Sequence, residues 1–329
     1  MLHTPLCDLL GIEHPILNAP MSGTATANLA TAVSKAGGFG MIGGTSRGGP
    51  DWLRTQIRAA RERTDRPFGV GFISSFPGLD ELIQVAFEER VAALNHSFAD
   101  PTPYVAAAHR QNVKIFAQVQ TVAQALVAAR AGVDVIIAQG TEAGGHTGST
   151  AGTLALLPAV VDAVHPIPVV ASGGIADGRG LAAVLMLGAS GAWLGTRFVA
   201  SQEWGGRAWE QAAVLAATVD DTVRTSVYDA AFNAPFPDGI ADRMLRNRFI
   251  SRWQGWEEEV RQNREEILEQ LAAAEREGDL EVAGISSGVS AGLISTLEPA
   301  GEIVQRLVGE AEALLRTQPP RLLTDAGMS

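Results

Sequence analysis

Cysteine is almost absent: Cys7 is the only one in 329 residues. No intrachain disulfide can form, and a cysteine-bound zinc or iron–sulfur centre lacks its ligands. Aromatic residues are scarce, at 6%, and 2 Tyr stand against 36 Gly, so tight backbone approaches are expected rather than aromatic surfaces. Charged residues make up only 19%, with a formal net charge of −11. That excess argues against nucleic acid or an anionic membrane as the main partner and leaves room for a local phosphate site. The most apolar stretch, residues 153–176, is cut by Asp162, His165, Pro166 and Pro168 and does not read as a membrane span. The first twenty residues carry Asp8 and Glu13 and have no basic start before an apolar run, so no signal peptide is expected. The expected setting is a reducing cytoplasm.

Hydrophobic residues make up 46%, which excludes a disordered chain and supplies a sizeable core. The length suits one (β/α)8 barrel with extra segments or two medium α/β domains. Eight short apolar runs read as strands: 15–19, 38–42, 68–73, 91–95, 113–119, 133–138, 167–171 and 191–195. Most are apolar throughout, as parallel strands buried on both faces must be. Helical patterns lie between them, and several close at a glycine, namely Gly37, Gly132 and Gly188. Eight such right-handed units close into a barrel.

After Arg197 the pattern changes. Residues 203–217 read as the eighth helix, 230–240 as a loop, and 284–294 as a small-residue loop. Val260, Ile267, Leu268 and Leu271 form one apolar stripe on a charged helix over 255–277, and 300–316 read as a final helix. The predicted fold is therefore an α/β (β/α)8 TIM barrel over 1–219. A lid-like insertion follows over 220–295, then a C-terminal helix within 296–329 that packs on the barrel, giving a mostly helical extension.

In such a barrel, chemistry sits in the loops after the strands. Those loops are polar and small here: Asn18-Ala19-Pro20-Met21, Asn95-His96-Ser97, Gln118, Gln139-Gly140, Ser172-Gly173-Gly174 and Leu194-Gly195-Thr196. The glycines after the last two strands let backbone N–H groups approach an anion, and Asp177 is placed to cap the helix that follows. Two look-alikes fail. GFGMIG (38–43) is itself a strand, whereas a dinucleotide fingerprint needs strand, turn and then helix. GTEAGGHT (140–147) has His146 where a P-loop needs lysine.

Of six histidines, only His96 and His146 follow strand ends at the mouth. His146 lies between Gly144-Gly145 and Thr147-Gly148, which lets the backbone turn and project the imidazole into a cavity, where it can act as a general base. His96 is the second candidate, as a substrate-shaping residue. Only Glu142 lies near His146 at ligand spacing, and one Glu with one His makes a poor metal site, so no metal is expected.

NAPM (18–21), AQGTEAGGHTG (138–148), ASGGIADGRG (171–180) and LGTRF (194–198) resemble the nitronate monooxygenase family, formerly 2-nitropropane dioxygenases. The resemblance runs from about residue 5 to 200, and more weakly at SAGLI (290–294). It implies an FMN-binding TIM barrel, with relatives among FMN-dependent enoyl-ACP reductases and NADH:quinone reductases. Carried onto this chain, it puts the FMN phosphate on Gly173, Gly174, Gly195 and Thr196, with Ser172 and Leu194 in the same loops. It puts the flavin ring beside Asn18, Ala19, Pro20 and Met21, with Gln118, Gln139, Gly144 and Gly145 near the ring or ribityl chain. His146 matches the catalytic histidine. Many members have Asn where Gly71 stands, and some have Lys at Gln118 and Gln at Val289, so a positive charge beside a reduced flavin is missing here.

The implied activity is FMN-dependent oxidation of an alkyl nitronate, or a nitroalkane, by O₂ to a carbonyl compound and nitrite. The alternative is an NAD(P)H-dependent FMN reductase of enoyl thioesters or quinones. A phosphate-ligand-binding barrel without catalysis is the third reading. The expected partners are a small-molecule nitronate and O₂, without nucleic acid or membrane, and a homodimer stays open as the assembly.

Overall fold

The computed structural model describes residues 2–323. Eleven strands occur in it: β1 Ile16–Asn18, β2 Gly40–Gly43, β3 Phe68–Ile73, β4 Ala93–Ser97, β5 Lys114–Val119, β6 Val135–Gln139, β7 Gly145–Thr147, β8 Val169–Ser172, β9 Gly191–Leu194, β10 Thr222–Thr225 and β11 Ala241–Leu245. Eight of them form one parallel sheet in the order β1-β9-β8-β6-β5-β4-β3-β2, with helices between successive strands. Its two ends meet through a parallel bridge between Leu17 and Phe39, so the sheet is a nearly closed (β/α)8 barrel.

The strand bodies are buried on both faces, which is why they read as unbroken apolar runs. Leu17, Phe39, Met41, Phe116, Ile137, Val170 and Trp193 fill the interior. Leu6, Cys7 and Leu10 of the short helix Pro5–Leu10 pack into the same cluster and plug its lower end. A second apolar layer lies between the strands and the outer helices.

The eighth helix is not where the sequence pattern put it. Helix Ala208–Ala216 buries only Val214 and packs against residues 196–199 and 289–293. The place between the helices Gly178–Met186 and Ala27–Lys35 is taken instead by Ala300–Leu322. Ile303, Val304, Leu307, Val308 and Ala311 of that helix form a stripe buried at 0–5% exposure. Contact is close enough that a Cβ on Gly178 would lie 2.2 Å from Glu310 Cβ. The same Gly178 donates its N–H to Glu310 Oε2 at 2.9 Å. Asp177 caps its helix as the sequence suggested, accepting from the N–H groups of Arg179 and Gly180. Residues 324–329 of the expected C-terminal helix lie outside the described residues.

Between strand β9 and its delayed helix the chain makes a long excursion over the mouth. It is mostly helical but carries a three-stranded antiparallel sheet, β10-β11-β7, in which β7 comes from the loop after β6. Arg224 Nη2 donates to the Thr147 carbonyl and Arg243 Nε to that of Thr141, binding this ribbon to the barrel loop. No helix among the described residues is long and apolar enough to cross a membrane.

Candidate active site

Above the C-terminal ends of the strands lies a cavity of about 1070 Å³. Ligand sites usually span about 300–1,000 Å³, so this one has room for a cofactor and a substrate together. Of the residues singled out from the sequence, Ala19, Pro20, Met21, Gln118, Gln139, Gly144, Gly145, His146, Ser172, Gly173, Gly174, Leu194, Gly195 and Thr196 line it. Asn18 and His96 do not.

Alternation along a strand explains both exceptions. Leu17 points into the barrel, so Asn18 turns outward, where its side chain bonds both the N–H and the carbonyl of Met41. Ser97 faces the cavity, so His96 faces the helices, at 1% exposure. There it shares a hydrogen bond between Nδ1 and Ser74 Oγ and stacks on Tyr104 at 4.8 Å. Burial pushes its pKa down to about 4, so it is a neutral packing residue. Neither side chain that the sequence placed at the cofactor (Asn18) or the substrate (His96) therefore enters the cavity.

The loops after β8 and β9 face the cavity largely with backbone. Gly173 and Gly174 have φ of +108° and +76°, a region that only glycine enters cheaply. A Cβ on Gly195 would meet only Ala19 Cβ, at 3.6 Å, so this loop presents bare backbone to the cavity. Thr196 Oγ1 accepts from the Gly288 N–H at 3.0 Å, which leaves its own proton to donate. Arg197 contributes no charge here. It is buried at 2% exposure, and its Nη2 bonds the carbonyls of Ala200 and Thr296. A cradle of N–H groups and one hydroxyl, on loops without side-chain bulk, fits a phosphate.

The small-residue loop over 284–294 now has its reason. A Cβ on Gly144 would lie 2.3 Å from Gly288 N, and Val289 N–H donates to the Glu142 carbonyl, so two loops touch backbone to backbone. Glu142, the one carboxylate near His146 in sequence, is engaged within its own loop. Its carboxylate holds the N–H and hydroxyl of Thr153 at the start of the next helix. No group of three His, Cys, Asp or Glu side chains among the described residues could hold a metal ion. Gly71 also has a cause: a Cβ there would come 2.2 Å from Pro20 Cγ, so Pro20 occupies the space of the missing side chain.

Two glutamines set the polar wall. Ser97 Oγ donates to Gln118 Oε1 at 2.6 Å and accepts from Asn95 Nδ2, which fixes the Gln118 amide with its NH₂ free. Gln139 is more constrained: Oε1 accepts from Gln120, and Nε2 donates to the His146 carbonyl at 3.0 Å. It therefore holds the histidine's backbone.

His146 sits in β7 opposite Asp242 of β11. Its Nε2 lies 2.8 Å from Asp229 Oδ1, and Nδ1 is 3.8 Å from Asp242 Oδ2. Phe236 stacks on the ring at 3.6 Å and Phe98 meets it edge-on at 6.4 Å. Burial alone would lower the histidine's pKa. The Asp242 charge, with the hydrogen bond and charge of Asp229, overcomes that and holds it above the usual 6.5. Burial raises the Asp242 carboxyl, against the pull of His146 and the Ser286 hydroxyl. Neither aspartate was visible from the sequence, because both arrive from the excursion and lie at no motif spacing to His146.

Glycine loops after the last two strands of a (β/α)8 barrel, and a histidine held by two aspartates on the same large cavity, suit a cofactor-dependent oxidoreductase. The chain belongs to the nitronate monooxygenase family, whose model matches residues 3–80 and 73–310. Members of that family are in general flavin-dependent. A probable nitronate monooxygenase of Staphylococcus aureus is 30% identical over 359 aligned residues, spanning 94% of this chain and 98% of that protein. A 5-hydroxy-7a-methyl-1-oxo-octahydro-1H-indene-4-carboxyl-CoA dehydrogenase of Mycobacterium tuberculosis is 34% identical, over 76% of this chain and 68% of that protein. The solved structure of FabK from Thermotoga maritima superposes with a TM-score of 0.88 at 38% identity, covering 98% of this chain and all of that one.

Proposed function

We propose that this chain oxidises an alkyl nitronate with O₂, using noncovalent FMN, to a carbonyl compound and nitrite. The observation that carries the reading is the pair of aspartates, Asp229 and Asp242, at the His146 ring. Asp229 Oδ1 at 2.8 Å from Nε2 and Asp242 Oδ2 at 3.8 Å from Nδ1 favour the protonated ring, and a protonated ring binds and orients an anionic nitronate oxygen. Gly173, Gly174, Gly195 and Thr196 would hold the FMN phosphate, and Ala19, Pro20 and Met21 the ring, with the Gln118 amide beside it. Bound there, FMN would supply the two-electron redox chemistry between substrate and O₂. The excursion over 220–295 acts as a lid that excludes water and brings in Asp229, Phe236 and Asp242.

A second reading has its own support. The cavity, at about 1070 Å³, lies at the upper end of ligand sites, and one relative is named as a carboxyl-CoA dehydrogenase. Under it, the enzyme is an NAD(P)H-dependent reductase of an acyl thioester. Anaerobic mixing separates the two: a nitronate bleaches the flavin in the first, and NADH or NADPH bleaches it in the second.

A further inference from the structure

One ring nitrogen of His146 is committed and the other is not. Nε2 is within hydrogen-bond distance of Asp229 Oδ1, at 2.8 Å. Nδ1, at 3.8 Å from Asp242 Oδ2, is beyond hydrogen-bond reach and bonds no described residue. The backbone is fixed as well, by the β7–β11 ladder and by Gln139 at the His146 carbonyl. Phe236 covers one face of the ring. Asp242 is itself anchored by Ser286 Oγ at 2.8 Å. Asp229 from its helix and Asp242 from β11 are the ionisable groups that face the imidazole; Gln139, Ser286, Phe98 and Phe236 around them carry no charge.

We propose that Asp229 is the positioning residue of His146: it locks the proton on Nε2, so that Nδ1 is the atom presented to the substrate, while Asp242 supports the charge at Nδ1. This rests on the reading that His146 meets the substrate. A carboxylate can only accept, so Nε2 keeps its proton in both charge states of the ring. Nδ1 then changes role with pH. Protonated, it donates to an anionic nitronate oxygen. Neutral, its lone pair takes the proton from the α-carbon of a nitroalkane, leaving a nitronate and an imidazolium. A base oriented by a carboxylate at its far nitrogen is a general device of proton-transfer sites.

The test is nitrogen NMR of histidine-labelled holoenzyme, with His146→Gln used to assign the signal. In the wild type, Nε2 is expected to stay protonated across the titration, with Nδ1 alone losing its proton. Asp229→Asn should make the ring titrate at lower pH and let the neutral ring divide between tautomers. Asp242→Asn, which can keep a hydrogen bond to Ser286, should also lower the titration but leave the proton on Nε2. The pH profile of anaerobic flavin reduction should move down with the NMR titration in both variants. A wild-type ring that loses its Nε2 proton first overturns the proposal, and that result needs no variant to fold. An unchanged tautomer in Asp229→Asn overturns it equally. The NMR arm uses no substrate, so it stands or falls apart from the nitronate reading.

Discussion

Asn18 and Met41 are joined by two hydrogen bonds of 2.8 Å each, the amide of one embracing the backbone N–H and carbonyl of the other. They lie at the seam of the barrel, where a single bridge from Leu17 to Phe39, the residue before β2, stands in place of a ladder. The side chain thus supplies the pairing that the backbone lacks, in a place with no water to replace it.

Asn18→Ala should therefore lower stability without disturbing the cofactor cradle. Leaving the buried N–H and carbonyl of Met41 unpaired costs about 1–3 kcal/mol per group. Chemical denaturation should show a lower midpoint, while the flavin content of the purified protein stays at the wild-type level.

The cradle is tested at Gly174. Asp there brings a carboxylate to the phosphate, a repulsion of about 4 kcal/mol at 4 Å and an effective dielectric of 20, before solvent screening. Asn has the same shape and tolerates the left-handed conformation almost as well. Gly174→Asp should release FMN while Gly174→Asn keeps much of it, as read from flavin absorbance after gel filtration. Equal occupancy of the two would place the phosphate elsewhere.

Phe236 meets His146, Phe76 and Phe98, with centroids at 3.6, 5.2 and 5.6 Å. Each aromatic pair contributes about 0.5–1.5 kcal/mol beyond burial. Phe236→Ala should loosen residues 230–240 first. Limited proteolysis should cut there sooner, and the apparent substrate affinity should fall more than the flavin content.

The ribbon should weaken as pH rises. His146 is held above 6.5 by Asp242 and Asp229 against the effect of burial, so folding favours its protonated form. That contribution is complete below 6.5 and is lost as pH climbs through the raised value. Asp242 is also raised, through burial, and carries the same sign. Amide exchange in β7, β10 and β11 should therefore accelerate with pH beyond its intrinsic increase, and His146→Gln should remove the excess.

The barrel was legible because parallel strands buried on both faces are apolar end to end. That Gly173, Gly174, Gly195 and Thr196 share one cavity was legible because they stand in the loops after the last two strands of such a barrel. Proximity to a strand end misled at Asn18 and His96, where the two-residue alternation decides which side chain enters the cavity. The eighth helix was misplaced because its apolar stripe arrives after the whole excursion, and helix Ala208–Ala216 stands in the expected position in sequence. Asp229 and Asp242 left no signal. A contact made across 83 residues by chain folding has no local pattern to betray it.

The most direct test of the nitronate reading is anaerobic mixing of the purified protein, reconstituted with FMN, with a preformed alkyl nitronate, followed at the flavin absorbance. The flavin should bleach with the nitronate, stay oxidised with NADH or NADPH, and recover its colour when O₂ is admitted. His146→Ala, at normal FMN content, should slow reduction by a neutral nitroalkane about 10²–10⁴-fold and reduction by the nitronate by less. Bleaching by NADH or NADPH with no response to the nitronate would contradict the account and make this chain a reductase.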